Sequence, residues 1–373
     1  MGAALAAAVS LGLTCEPPPP SPPVPRRDRA RGQRHLGWVW QFSRDGPPEQ
    51  LVSVLAQHDL GILLKTHDGT DWMSRYDASP YAISGPDQIA ALASYYETYG
   101  VPFHAWCLIK GLEPKREAEI CAQVIAAGAR SLTIDLEPHS GFWQGTPQDA
   151  LTFGREFRRL QPGATLWVSL DPRPWVMARI PLAEFASFSQ GFAPQIYWET
   201  FDTSGNLSRF ESSGFPAGED GITPKFLLDV TSSLLDAYGS PIYPAGQGAS
   251  QDSDAWRGFV EHAFALGMGT VSVWRYGVAG SEVWRLLKDA GPPRPSRGVS
   301  AIVADTSSCL NVRERPTLSA TVRTCLPDGT AVKVRDGPAE ADGYRWWLID
   351  AGGTSGWSAE GEPDGVRWLV PLP

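Results

Sequence analysis

The chain has 373 residues, 20% of them charged, and a formal net charge of −9. That length accommodates one large domain and one small one. The acidic balance and the lack of a long basic stripe exclude nucleic acid as a partner.

Ala3 to Leu13 is apolar and small. It is too short to span a bilayer as a helix and has the character of a signal-peptide h-region, although no Lys or Arg precedes it. Cys15 and a Pro-rich run up to Pro25 follow, and then the charged stretch 26–34. Residues 1–34 thus read as a signal-like segment and an extended Pro/Arg-rich tether. Export to the cell envelope or the medium is expected. Cys15 stands where a lipoprotein would be acylated, although Thr14 occupies a position usually held by Gly, Ala or Ser; plain secretion is the other reading. Five cysteines leave one over. Cys107 with Cys121, and Cys309 with Cys325, are the two pairs that could close disulfides in an oxidising compartment.

From residue 35 onward, short apolar runs alternate with segments of helical spacing. Strands are predicted at Leu36–Phe42, Gly61–Lys65, Phe103–Leu108, Leu132–Glu137, Leu166–Asp171, Phe192–Trp198, Pro241–Gln247 and Thr270–Tyr276. Helices are predicted between them at Pro48–Gln57, Pro86–Tyr99, Pro114–Ala127, Pro147–Leu160, Lys225–Tyr238 and Asp252–Leu266, several opening on Pro or Asp as helix starts do. Eight strands alternating with helices over residues 35–290 predict an α/β fold, the (β/α)8 TIM barrel. An open doubly wound sheet is weakened because no G-x-G-x-x-G follows the first strand. Residues 291–298, rich in Gly and Pro, read as a linker. Residues 299–373 carry β-type runs at Ala331–Val334, Trp346–Ile349 and Gly356–Ser358, a small all-β barrel-like domain.

Catalysis in such a barrel sits at the C-terminal ends of the strands. The fourth strand ends in Asp135 and Glu137. Residues two apart on a strand share a face, roughly 6–7 Å apart, and a carboxyl pair is the minimum equipment for cleaving a glycosidic bond. Glu137 is the expected proton donor. Asp135, one pleat deeper, would raise its neighbour's pKa by like-charge repulsion. Tyr197, Asp171 and Glu199 are candidates for a second catalytic group. Trp40, His104, Trp106, Asp171, Gln195, Glu199, Gln247 and Trp274 complete a mixture of carboxylates, amides and indoles suited to a sugar. Many of the fifteen Trp would otherwise be core. There is no G-x-S-x-G elbow and no His-Glu-x-x-His, so no metal or other cofactor is expected. A set of His67, Asp68, His104 and Asp135 is the one arrangement that would hold a metal if the barrel assembled it.

The C-terminal segment resembles a bacterial SH3 (SH3b) domain. Leu310-Asn311-Val312-Arg313-Glu314-Arg315-Pro316 carries the resemblance, together with Leu326-Pro327-Asp328-Gly329-Thr330, Val332, Trp346-Trp347-Leu348-Ile349 and Gly356-Trp357. It implies an accessory module that binds cell-wall peptides. The barrel resembles glycoside hydrolase families 18 and 25, through Ile134-Asp135-Leu136-Glu137, and family 18 also through Gln195-Ile196-Tyr197-Trp198 and Val273-Trp274-Arg275. The chain departs from family 18 at Arg130 and Thr133, where that family's longer signature has Asp. It departs from family 25 in Gly37–Gln41, which lacks an Asp.

These resemblances imply an exported glycosidase acting as a monomer on a polysaccharide or peptidoglycan that contains N-acetylhexosamine. A non-catalytic glycan-binding protein on the same barrel is the alternative. A peptide-binding adaptor acting through the SH3b segment is a third reading.

Overall fold

The computed structural model describes residues 33–363 and 365–372. The signal-like segment, the Pro-rich run and Cys15 lie outside the described residues. Among the described residues no helix is long and apolar enough to cross a membrane.

Eight parallel strands form a closed barrel: β1 Leu36–Val39, β2 Gly61–Asp68, β3 Phe103–Leu108, β4 Ser131–Asp135, β5 Thr165–Leu170, β6 Gly191–Ile196, β7 Ala245–Gln247 and β8 Ser272–Trp274. Each pairs with the next, and β8 returns to β1 through Leu36 opposite Ser272. A two-residue strand, Asp71–Trp72, folds back on the end of β2. The strands are apolar on both faces because both are covered. On β3, Phe103, Ala105 and Cys107 pack outward against the helices. Trp106 points inward to meet Trp38 and Leu63 inside the barrel. Six helices of the described residues begin with Pro in their first turn, at Pro48, Pro86, Pro114, Pro147, Pro174 and Pro224, where the missing N–H has no intrahelical partner to lose.

The strand ends differ from the sequence reading. β1 stops at Val39, and Phe42–Asp45 is a helical turn. The carboxylate of Asp77 accepts from the N–H of Phe42 at 2.7 Å and of Ser43 at 3.2 Å, which caps that turn. β7 and β8 are three residues each rather than seven. Period and composition alone do not reveal where a strand tip bends into its loop.

Seven antiparallel strands make up the C-terminal sheet: β9 Ser300–Val303, β10 Leu310–Arg313, β11 Val322–Leu326, β12 Ala331–Ala341, β13 Tyr344–Ala351, β14 Thr354–Ala359 and β15 Leu369–Pro371. Their order is β11-β10-β14-β13-β12-β9-β15. Val303, Val312, Val334, Trp347 and Ile349 fill their core. Asp342 and Gly343 both have positive φ, 54° and 78°, the two-residue turn that joins β12 to β13 with the right twist. Cys309 and Cys325 form a disulfide, whereas Cys107 and Cys121 are buried free thiols. The expected linker is not slack. Ser296 is buried, and Arg294 N–H donates to the carbonyl of Gly269 at 2.8 Å. At the other end Gln33 and Arg34 are buried, and Gln33 N–H donates to the carbonyl of Pro371 at 3.1 Å.

Candidate active site

β4 delivers Asp135 at its last position, and Glu137 lies just beyond it. Leu136 N–H still donates to the carbonyl of Ser169 at 2.9 Å, so the ladder carries on past the strand end. The two carboxylates therefore stay on one side. The Nε2 amide of Gln195, from the end of β6, donates to Oδ1 of Asp135 at 3.1 Å and to Oε1 of Glu137 at 2.8 Å.

Asp135 is 8% exposed. Burial, reinforced by the charge of Glu137 and opposed by Lys65, pushes its pKa up to about 8. Burial raises Glu137 as well. Two desolvated carboxyls this close titrate as a pair, and burial shifts that pair toward the form that keeps a proton. Imidazole Nε2 of His139 lies 3.7 Å from Oε2 of Glu137, on the solvent side. Burial, then the charges of Asp135 and Glu137, pushes the Tyr197 phenol well above its ordinary pKa, so it is a neutral hydrogen-bond donor.

These groups open into a cavity of about 610 Å³ whose lining includes Trp40, Trp106, Gln195, Tyr197 and Trp274. Trp38, Trp106 and Trp274 meet edge to face, with centroids 5.3–5.6 Å apart. Burying indole rings against one another leaves a rigid apolar floor. Arg275 lies over the ring of Trp40 at 5.3 Å and is ion-paired with Asp45.

Four predicted site residues fall outside this cavity lining. His104 sits a layer deeper in the barrel. Its Nδ1 is 2.7 Å from Oγ of Ser131, and burial lowers its pKa to about 3. Asp171 is held by the guanidinium of Arg173. Glu199 accepts from Ser250 and from Nε2 of Gln247, the latter at 3.1 Å, while Oε1 of Gln247 accepts from the backbone of Thr200. Glu199 and Gln247 are therefore fastened to each other.

The cavity also contains residues that sequence reasoning passed over: Ser169, Met73, Tyr76 and Phe142. Ser169 lies two before Asp171 on β5, so strict alternation would have found it. Met73, Tyr76 and Phe142 come from loops and carry no periodic signal. The set His67, Asp68, His104 and Asp135 is not assembled as a metal site. Among the described residues, the group close enough to share an ion is His67 with Cys107 and Cys121.

The C-terminal sheet, with its Leu-Asn-Val-Arg strand and late Gly-Trp, decides the smaller unit. Residues 308–363 match the bacterial SH3 domain family. The C-terminal sheet and its loops line a second cavity of about 250 Å³, formed by Asn311, Arg313, Tyr344, Trp346 and Trp368 among others. No curated protein matches the chain. The solved structures to which the barrel is similar include the following three. The glycoside hydrolase domain of PgaB (BpsB) from Bordetella bronchiseptica is 12% identical, with 69% of this chain and 98% of that one covered and a TM-score of 0.46. For a glycoside hydrolase family 18 N-acetylglucosaminidase from Paenibacillus barengoltzii the figures are 10%, 68%, 98% and 0.48. For the spore cortex-lytic enzyme SleL from Bacillus megaterium they are 11%, 70%, 74% and 0.44. The barrel assignment rests on the strand pairing itself. The SH3 domain occupies the end of the chain beyond that barrel.

Proposed function

We propose that the chain is an exported glycoside hydrolase that cleaves a cell-wall or other N-acetylhexosamine-containing glycan in its barrel, residues 35–290. The SH3 domain, residues 299–373, then holds it at the wall across the packed segment 291–298. Secretion, with or without lipidation at Cys15, and a monomeric state belong to the same reading.

The observation that carries it is the Asp135–Glu137 pair, which is joined by one amide and shifted by burial toward keeping a proton beside an aromatic cavity. Glu137, the more open of the two, donates the proton to the leaving oxygen; Asp135 shares it and keeps it available. Asp68 also lines the cavity, but its carboxylate is ion-paired with Lys65 at 2.9 Å, while Asp171 is taken by Arg173. A substrate that brings its own nucleophile, the acetamido oxygen of an N-acetylhexosamine, fits this inventory. That oxygen attacks the anomeric carbon as the bond to the leaving oxygen breaks. Water later opens the cyclic intermediate and its proton returns to Glu137. Tyr197, a neutral donor lining the same cavity, donates a hydrogen bond to the reacting sugar.

Glu137→Gln keeps the shape and the amide contact but removes the proton. Reducing-end release from a panel of N-acetylhexosamine oligosaccharides should fall at least 10²-fold, with the circular dichroism spectrum unchanged. An unaltered rate would sink the assignment. Arg130 and Thr133, which stand where family 18 carries Asp, motivate the second reading, glycan binding without cleavage. Tight oligosaccharide binding by the wild type, with no products from any member of the panel, would establish it.

A further inference from the structure

Behind the cavity, on the outer face of the barrel, two thiols and one imidazole converge. Cys107 comes from β3, Cys121 from the helix Pro114–Ala126 and His67 from the end of β2, and all three are fully buried. Sγ of Cys121 lies 3.8 Å from Sγ of Cys107 and 3.5 Å from Nε2 of His67, and the ligand atoms all lie within 4.8 Å of one another.

His67 reaches this face because of a bulge. Lys65 pairs with Trp106 and His67 with Cys107, so Thr66 is the extra residue. Without it, strict alternation would put His67 on the inner face with Lys65. The hydroxyl of Thr66 donates to the carbonyl of Trp106 at 3.2 Å and lies 2.8 Å from Nδ1 of His67. A hydroxyl has one hydrogen to give. With it spent on Trp106, Oγ1 accepts from Nδ1–H, and Nε2 is left with a bare lone pair aimed at the sulfurs. Fixing one ring nitrogen so that the other can ligate is what the outer shell of a metal-bound His does.

We infer that His67, Cys107 and Cys121 form a structural binding site for a thiophilic d10 cation, with Zn²⁺ as its first occupant. About 2.3 Å for Zn–S and about 2.0–2.1 Å for Zn–N at a tetrahedral angle require S···S near 3.7–3.8 Å and S···N near 3.5 Å. Two of the three sides match, Cys121 to Cys107 and Cys121 to His67; the third, Cys107 to His67, lies within the 4.8 Å that bounds the set and closes to the same length on loading. Charge agrees too: two thiolates and a neutral imidazole cancel Zn²⁺ in a fully buried site. Cu⁺ is neutralised by one thiolate, with the second sulfur remaining a thiol, and it accepts three ligands. Loading accompanies folding, because the three ligands meet only in the closed barrel. The ion would tie the helix Pro114–Ala126 to β2 and β3 directly behind Trp106.

The full chain, its Cys309–Cys325 disulfide intact, is unfolded in denaturant and refolded with Zn²⁺, Cu⁺ or Co²⁺, then gel-filtered and its metal counted. Cys121→Ser and His67→Gln are treated in parallel. About one equivalent of Zn²⁺ per wild-type chain, lost in both variants, is expected, along with thiolate-to-Co²⁺ absorption of two-sulfur intensity and a melting point several degrees higher. Retention of Cu⁺ alone also supports the site and names its occupant. Where a variant does not fold, the wild-type Co²⁺ spectrum decides. Folded wild type that holds no metal, metal held equally by folded variants, or loss of both thiols to a Cys107–Cys121 disulfide would each overturn the inference. None of the three ligands belongs to the sugar cavity, so failure here leaves the hydrolase reading standing.

Discussion

Nε2 of Gln195 is the amide donor that Asp135 and Glu137 share, and among the described residues neither carboxylate is ion-paired with a Lys or Arg side chain; the partly open His139 ring lies 3.7 Å from Glu137. Their charged forms are costly, and this sets how stability depends on pH. A carboxyl whose folded pKa lies above its unfolded value binds more protons in the folded state. Between the two values, stability therefore falls as pH rises. For Asp135 the window runs from 3.8 to about 8, and Glu137 acts in the same direction. Asp135→Asn removes the larger contribution. The variant should gain stability over the wild type as pH goes from 5 to 9, by on the order of 3 kcal/mol at the upper end. Urea denaturation at the two pH values measures it. A constant difference between the two proteins would show that Asp135 carries its charge at no cost. The same substitution should lower glycan cleavage, since the shared proton is gone.

At the scale of elements, one carboxylate holds the first and last strand tips together. The side chain of Asp45 is fully buried. It accepts from the backbone of Trp40 at 2.6 Å, of Gln41 at 3.3 Å and of Gly277 at 3.1 Å, and it is ion-paired with Arg275. Asp45→Ala would strand three amides and a guanidinium. Breaking a buried pair from one side costs about 3–5 kcal/mol, and thermal denaturation should register a loss of that size. Trp40 and Trp274, which flank the knot, should show altered fluorescence. This network was not legible in the sequence, where Phe42-Ser43-Arg44-Asp45 reads only as a strand running out into a loop. What was legible was periodic. Parallel strands buried on both faces read as apolar runs, and helix-opening prolines divide them, so the (β/α)8 order and the pairing of Asp135 with Glu137 could be read directly. The bulge at Thr66 could not be, and it alone decides which face His67 serves. Glu199 and Gln247 had the right strand-tip positions, but each finds its partner across a loop, a long-range matter that spacing does not encode.

In the whole molecule, the barrel and the SH3 domain are in direct contact. The guanidinium of Arg345 on β13 donates to the carbonyl of Phe264 at 3.3 Å, and β15 reaches back to Gln33 at the entrance to β1. The SH3 groove is a separate feature from the barrel cavity, built on Tyr344 and Trp368, whose rings stack at 6.3 Å and are both partly exposed. Tyr and Trp are over-represented among the residues that carry binding energy at interfaces. If this groove holds the wall while the barrel cleaves, the two activities separate by mutation. Replacing Tyr344 and Trp368 together by Ala removes the apolar groove wall; Trp368 also packs against the core that contains Trp347, so an unchanged circular dichroism spectrum is required of the variant. Truncating anchors of this type costs more than about 1 kcal/mol each, and every 1.4 kcal/mol is tenfold in affinity. Retention on insoluble peptidoglycan should therefore fall at least tenfold, while reducing-end release from a soluble oligosaccharide stays within twofold of wild type. Equal loss of both would mean that the groove and the cavity act as one surface across the Arg345–Phe264 contact. Unchanged retention would place wall attachment elsewhere on the chain.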